Sequence, residues 1–314
     1  MTQASKTPDL SLGVTMAGLY RCVLNEGTDR EVDTGWFPNL ITNGGLDRLG
    51  SEMYEGLDVF KYASIGTGTT LPANTDSSLQ AYIADTLDST LDGGANYGAP
   101  TYSGYRQVHH TYAQGAVVGN MAEVGLGWEP GGISLWSRAR ILDNAGIPTI
   151  LTVTAVDQIT VYYKIVAIPV ITDISGTVTL SGTTHAYTGR LAYAASFFYT
   201  GILSIGGLMA YTTVINPLNT YPATSVLGAI TGFPSGQPVY GGFTSSANYT
   251  PGSRYRDSTI EFPPGYAVHP GGIGAIVFGS DNGGMGFQYS FTPPIPKDDT
   301  MVMSLVARVS WDRA

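Results

Sequence analysis

The sequence predicts an all-β, mainly antiparallel protein in two sandwich-like domains, with one or two short helices in the first. Three observations lead there. Only 12% of the 314 residues are charged, about half the usual share, while Gly (41) and Tyr (20) are abundant beside many Thr and Ser. That mix favours short strands joined by turns over long helices. Several segments are rich in β-branched and aromatic residues, and the last of them, 301-MVMSLVARVSW-311, alternates apolar and mostly polar side chains, the period of a half-buried strand. Helical spacing is confined to two short stretches in the first 90 residues.

Taken in order, Leu12 to Thr42 reads as strands. A short helix follows in 43-NGGLDRLGSEMYE-55, with Leu46, Leu49 and Met53 on one face, and then 58-DVFKYASIGTGT-69 reads as a strand entering a glycine turn. A second helix is expected after Asp76 or Ser77, which would cap it, because Leu79, Ile83 and Leu87 make an i, i+4, i+8 stripe. The strands 133-ISLWSRARIL-142 and 149-TILTVTAV-156 flank the turn-forming 143-DNAGIP-148. With 158-QITVYYKIVAI-168 they are expected to form a three-stranded meander. Composition shifts near residue 172: residues 1–172 carry 9 Lys/Arg and 17 Asp/Glu, and residues 173–314 carry 6 and 7. The expected domains are therefore 1–172 and 173–314. The second opens on a Thr/Gly hairpin pattern, 176-GTVTLSGTTHAYTG-189.

The net charge of −9 and the lack of a basic cluster argue against a nucleic-acid partner. Cys22 is alone, which excludes a disulfide framework within one chain and a cysteine-based zinc site. The start, MTQASKTPDL, lacks the apolar core of a secretory signal, so synthesis in a cytoplasm is expected. The 25 uncharged residues 191–215 are long enough to cross a membrane, but no basic flank orients them; core strands or an interface hidden in an assembly are the stronger readings.

Catalytic motifs are weak. His109, His110, His185 and His269 have no ligand spacing, 66-GTGTT-70 lacks the lysine and helix of a phosphate loop, and 281-DNGG-284 lacks the spaced acids of a calcium loop. No metal or cofactor is expected. A glycosidase pair would draw on Glu123 with Asp143 or Asp157. Glu123 lies in a Gly-rich apolar run, 115–128, where a buried acid needs a partner. Arg138 and Arg140 share one face of the next strand, so a structural Glu123–Arg138 ion pair is expected. Tyrosines are dense at Tyr97, Tyr102, Tyr105 and Tyr112. A second group, Tyr240, Tyr249 and Tyr255, supplies the candidate recognition aromatics, since exposed rings stack on sugars or anchor interfaces.

The series 38-PNLITNGGLDRLG-50, 62-YASIGTGTTLPANTDSSLQ-80, 119-GNMAEVGLGW-128 and 135-LWSRARILDNAGIPTILTV-153, with 286-GFQYSFTPPIPKDDTMVMSLVARVSWDR-313, resembles structural proteins of tailed bacteriophages, often labelled tail-fibre, tail or virion proteins. The resemblance implies a non-enzymatic, all-β virion subunit in a fibre, baseplate or collar. Its implied partners are further copies of itself and other tail proteins, with host surface glycan as an attachment target. A capsid or neck decoration protein, and a glycan-binding module or polysaccharide depolymerase, are the alternatives.

Overall fold

The computed structural model describes residues 10–51, 60–87, 89–96, 103–192, 216–239, 242–279 and 286–314, which form an all-β, mainly antiparallel fold. Strand β1 (Leu10–Leu24) turns Leu10, Val14, Met16, Tyr20 and Cys22 inward, while Thr15, Ala17, Leu19 and Arg21 sit half-buried on its other face. Burial pushes the Cys22 thiol up to about 12, so it packs as a small apolar group. Three two-residue strands follow: β2 (Val32–Asp33), β3 (Phe37–Pro38) and β4 (Leu40–Ile41). The helix α1 (Asn43–Ser51) starts where the Thr42 hydroxyl accepts the Gly45 N–H at 2.9 Å, and it buries Leu46 and Leu49. Met53 lies outside the described residues.

The first part continues with β5 (Tyr62–Gly66), β6 (Tyr82–Thr86), β7 (Ser89–Asn96), β8 (Ser103–Thr111), β9 (Gly119–Met121), β10 (Glu123–Gly127), β11 (Leu135–Arg140), β12 (Leu151–Val153) and β13 (Ile159–Pro169). The second part holds β14 (Ile174–Leu180), β15 (Thr183–Ala192), β16 (Asn216–Pro222), β17 (Phe243–Ser246), β18 (Tyr255–Phe262), β19 (Ile273–Gly279), β20 (Gly286–Ile295) and β21 (Met303–Arg313). The largest sheet runs β17-β18-β21-β1-β13-β8-β7, and β3 and β2 pair with the end of β1 beyond its contact with β21. A five-stranded sheet, β4-β11-β10-β5-β6, stacks on its inner face. There the Tyr20 hydroxyl meets Ser137 Oγ at 2.7 Å, and the Tyr112 hydroxyl donates to the Ala63 carbonyl at 2.6 Å. The strands β14-β15-β20-β19-β16 make another sheet, and β12-β9 a small ribbon.

Three expectations change. The segment 76–87 is not a helix. Leu79 is buried, but Ile83 and Leu87 are exposed, and 82–86 is a strand. The backbone here is committed sideways: Leu79 N–H to the Gly132 carbonyl, and the Ala81 carbonyl to Thr67 N–H. The meander is also replaced. The turn at 143–148 forms, with Leu142 bridged to Pro148, but β11, β12 and β13 then enter three different sheets. Finally, a boundary at 172/173 cuts through the largest sheet. β1 pairs in parallel with β21, Leu10 opposite Ala307 through Met16 opposite Arg313, and one apolar cluster extends from Leu10 to Trp311. The compositional shift marks the sheet β14-β15-β20-β19-β16, which does lie wholly after residue 172.

Candidate functional site

Glu123 sits on β10 between β5 and β11 with no solvent exposure. Its carboxylate accepts the backbone N–H of Gly68 (3.0 Å) and Ala81 (2.7 Å) on Oε1, and that of Gln80 (3.1 Å) on Oε2. Arg138 Nε and Nη2 each lie 2.8 Å from Oε2. The same guanidinium reaches Asp76 Oδ2 at 2.7 Å and Thr70 Oγ1 at 3.0 Å. In the ladder Glu123 faces Arg140 and Gly125 faces Arg138, so the pair is diagonal across neighbouring strands. The run 66-GTGTT-70 thus cradles a carboxylate of its own chain. A Cβ at Gly68 would collide with Glu123 Oε1, so only glycine brings the backbone this close.

This geometry suits a structural charge. Arg138 and three N–H donors occupy both oxygens of Glu123, and the contacts of Asp143 and Asp157 lie elsewhere. Asp143 caps its own turn through the N–H groups of Ala145 and Ile147. Asp157 accepts from the Thr154 hydroxyl, Asn25 Nδ2 and Thr154 N–H, with Arg30 at 3.2 Å, and these hold its carboxyl down at about 2. Because the folded value is depressed, its stabilising contribution is complete above the ordinary aspartate range and disappears as pH falls towards 2. Asp157→Asn is therefore expected to flatten the acid limb of a plot of melting temperature against pH. An acid limb identical to wild type would show that these bonds do not persist in solution.

The candidate aromatics divide. Tyr240, Tyr97 and Tyr102 lie outside the described residues, as do residues 193–215 and 281–284. Tyr249 is a structural tie: its hydroxyl donates to Asp47 Oδ1 at 2.6 Å, and its ring packs on Trp311, with centroids 5.6 Å apart. Tyr255 carries the Arg308 guanidinium 3.6 Å from its ring centroid, so one face is already covered. Neither is a free platform, because both rings close contacts around β21. Tyr112 is buried. His110 and His185 are also buried, and His185 Nδ1 pairs with the Pro293 carbonyl at 2.7 Å. Among the described residues no group of three or more His, Cys, Asp or Glu is placed to hold a metal, and no helix is long and apolar enough to cross a membrane.

An aromatic and cationic row does occupy the outer face of the largest sheet. In register, Arg21, Tyr162 and His109 lie side by side on β1, β13 and β8, and Leu19, Lys164 and Gln107 form the next row. Lys164 Nζ stands between two rings, 4.4 Å from the Trp36 centroid and 4.8 Å from that of Tyr105. Tyr162 packs edge-on to Trp36 and beside His109, and donates its hydroxyl to Glu26 at 2.7 Å. Burial and Glu26 push that hydroxyl up to about 12. Arg21, over the Tyr162 ring, is held by Asp33 through Nε (2.9 Å) and Nη2 (2.7 Å). Trp36 is 37% exposed. Sequence reasoning named Tyr105 only as one of a dense group. The period-two spacing of Tyr162/Lys164 and Tyr105/Gln107/His109 was the available signal, but nothing local says that β8 and β13 are neighbours.

No protein-family model, curated protein or solved structure matches this chain.

Proposed function

We propose that the chain is a non-enzymatic structural subunit of a bacteriophage tail, in a fibre, baseplate or collar, that works as a homo-oligomer. The observation that supports this most is where its scarce charges are used. Glu123, Arg138 and Asp76 clamp the 67–81 loop to two strands. Arg21–Asp33, Arg190–Asp173, Arg254–Asp312 and Arg308–Asp257 likewise join separate segments. Side chains used in this way serve rigidity, which a subunit that transmits force through a tail needs. Light scattering on the purified chain tests the reading. A defined oligomer is expected at micromolar concentration; a monomer throughout would overturn it.

The row of Trp36, Tyr105, Tyr162 and Lys164 favours a second role, attachment to a host surface glycan. Lys164 and Arg21 already cover ring faces in the row, so the stacking surface is the exposed part of Trp36, with the cations and carboxylates beside it offering hydrogen bonds to a sugar. Titration with host surface polysaccharide is expected to show binding that Trp36→Ala abolishes. Equal binding by wild type and Trp36→Ala would remove the row from consideration.

A further inference from the structure

We propose that β14 is the edge through which two copies of this chain join, antiparallel, β14 to β14. The inference rests on the homo-oligomer reading and names its contact. The argument begins with how the other sheet edges are protected. An open edge templates pairing with another chain, and proteins blunt it with charge, proline, bulges or brevity. Strand β16 has Pro217, Pro222 and two register shifts, and Thr220 is bridged to Val239 on its open side. β6 carries Asp85 and sits beside a register shift at Ile65/Gly66. β7 carries the acid Asp92, and β17 and β4 are only 4 and 2 residues long.

Strand β14, 174-ISGTVTL-180, has none of these devices. It contains no charge and no proline, and its register with β15 is unbroken from Ile174 opposite Gly189 to Leu180 opposite Thr183. The turn at Ser181–Gly182, with φ of 49° and 81°, is of the tight kind that matches the twist of the two strands and fixes their register. Among the described residues no strand pairs with its other side.

The strand is also complementary to itself. A two-fold axis at Thr177 sets Thr177 against its own copy, Ser175 against Thr179, Gly176 against Val178 and Ile174 against Leu180. The exposed hydroxyl residues Ser175, Thr177 and Thr179 then meet each other on one face. The half-buried or buried Ile174, Val178 and Leu180 meet on the other, with small Gly176 opposite Val178. Asp173, the acid flanking the strand, is held by Arg190 at 2.6 Å and falls opposite Ser181, so no like charges face each other. Pairing consumes both edges and is therefore closed, unlike a head-to-tail contact. It makes one continuous ten-stranded sheet from two five-stranded ones.

Thr177 is exposed, so Thr177→Lys and Thr177→Glu leave the subunit fold intact, which circular dichroism checks. Each variant alone places like charges face to face at the two-fold axis and is expected to weaken self-association at least about tenfold, seen as a fall in mass by light scattering. Mixing the two variants equally is expected to restore the wild-type mass. A Thr177→Lys variant that keeps the wild-type oligomer, or a mixture that stays dissociated, overturns the β14 contact while leaving the assembly reading standing. A wild-type chain that is itself monomeric removes the assembly reading.

Discussion

Replacing Arg138 with methionine is expected to cost the fold about 3–5 kcal/mol, because it strands a carboxylate with no solvent exposure. Three backbone N–H groups would still bond Glu123, so the loss is not the whole desolvation cost of the ion. Asp76 and Thr70 would lose the guanidinium at the same time, loosening the loop between β5 and β6, which Glu123 would still hold at Gly68, Gln80 and Ala81. Glu123→Gln keeps the shape and one acceptor oxygen, and Arg138 keeps Asp76. Its cost is expected to be smaller, about 1–3 kcal/mol. The Glu123→Gln/Arg138→Met double variant should lose less than the sum of the single changes, since the stranded charge is gone. Urea unfolding of all four proteins measures this. Strict additivity would mean that the two groups do not interact in solution. The same variants separate structure from catalysis, because a clamp acts on the unfolding midpoint whether or not any substrate is present.

Trp136→Ala is expected to have a comparable effect, about 3–5 kcal/mol. The side chain is fully buried between the largest sheet and its stacked partner. It packs edge-on against Phe60, with centroids 5.4 Å apart, and its Nε1 donates to the Tyr163 hydroxyl at 2.7 Å. Truncation leaves a cavity and takes its 2.7 Å donor from a buried hydroxyl, which keeps the longer contact from Asn39, at 3.3 Å. Trp136→Phe fills most of the space and should cost about 1–3 kcal/mol, the part owed to the hydrogen bond. Denaturant midpoints close to wild type for the alanine variant would show that the two sheets do not pack through this residue.

Single elements were legible wherever period and burial coincide. β21 alternates buried and open positions as its sequence does, α1 follows Leu46 and Leu49, and the 181–182 turn follows Ser-Gly. Pairing was not legible. β11, β12 and β13 succeed one another along the chain like a meander, yet β11 is buried on both faces and so belongs inside a sheet, while β12 alternates. Local pattern does not encode that sorting; contacts between distant strands decide it. The Glu123–Arg138 contact was accessible because an acid in a glycine-rich apolar run demands a cation and the following strand offers one. Asp76 was assigned instead to a helix cap, since the Leu79, Ile83, Leu87 spacing carries no trace of the carboxylate that holds Gln80 and Ala81 extended. Tyr249 looked free for a sugar because its partners, Asp47 and Trp311, lie far away in sequence.

The parallel pairing of β1 with β21 has a consequence for biosynthesis. The strand laid beside Leu10–Met16 of β1, and the one on which β18 must dock, is translated long after β1 itself. Until then the nascent chain holds an interrupted sheet whose middle is missing, and contacts of such sequence separation form slowly. A product terminated before residue 303 lacks that strand, and its β1 and β18 edges stay open to proteolysis and chaperone capture. Translation through β21 is therefore the step that closes the largest sheet, and a chain stopped short of it keeps a β1 edge able to pair with a wrong strand.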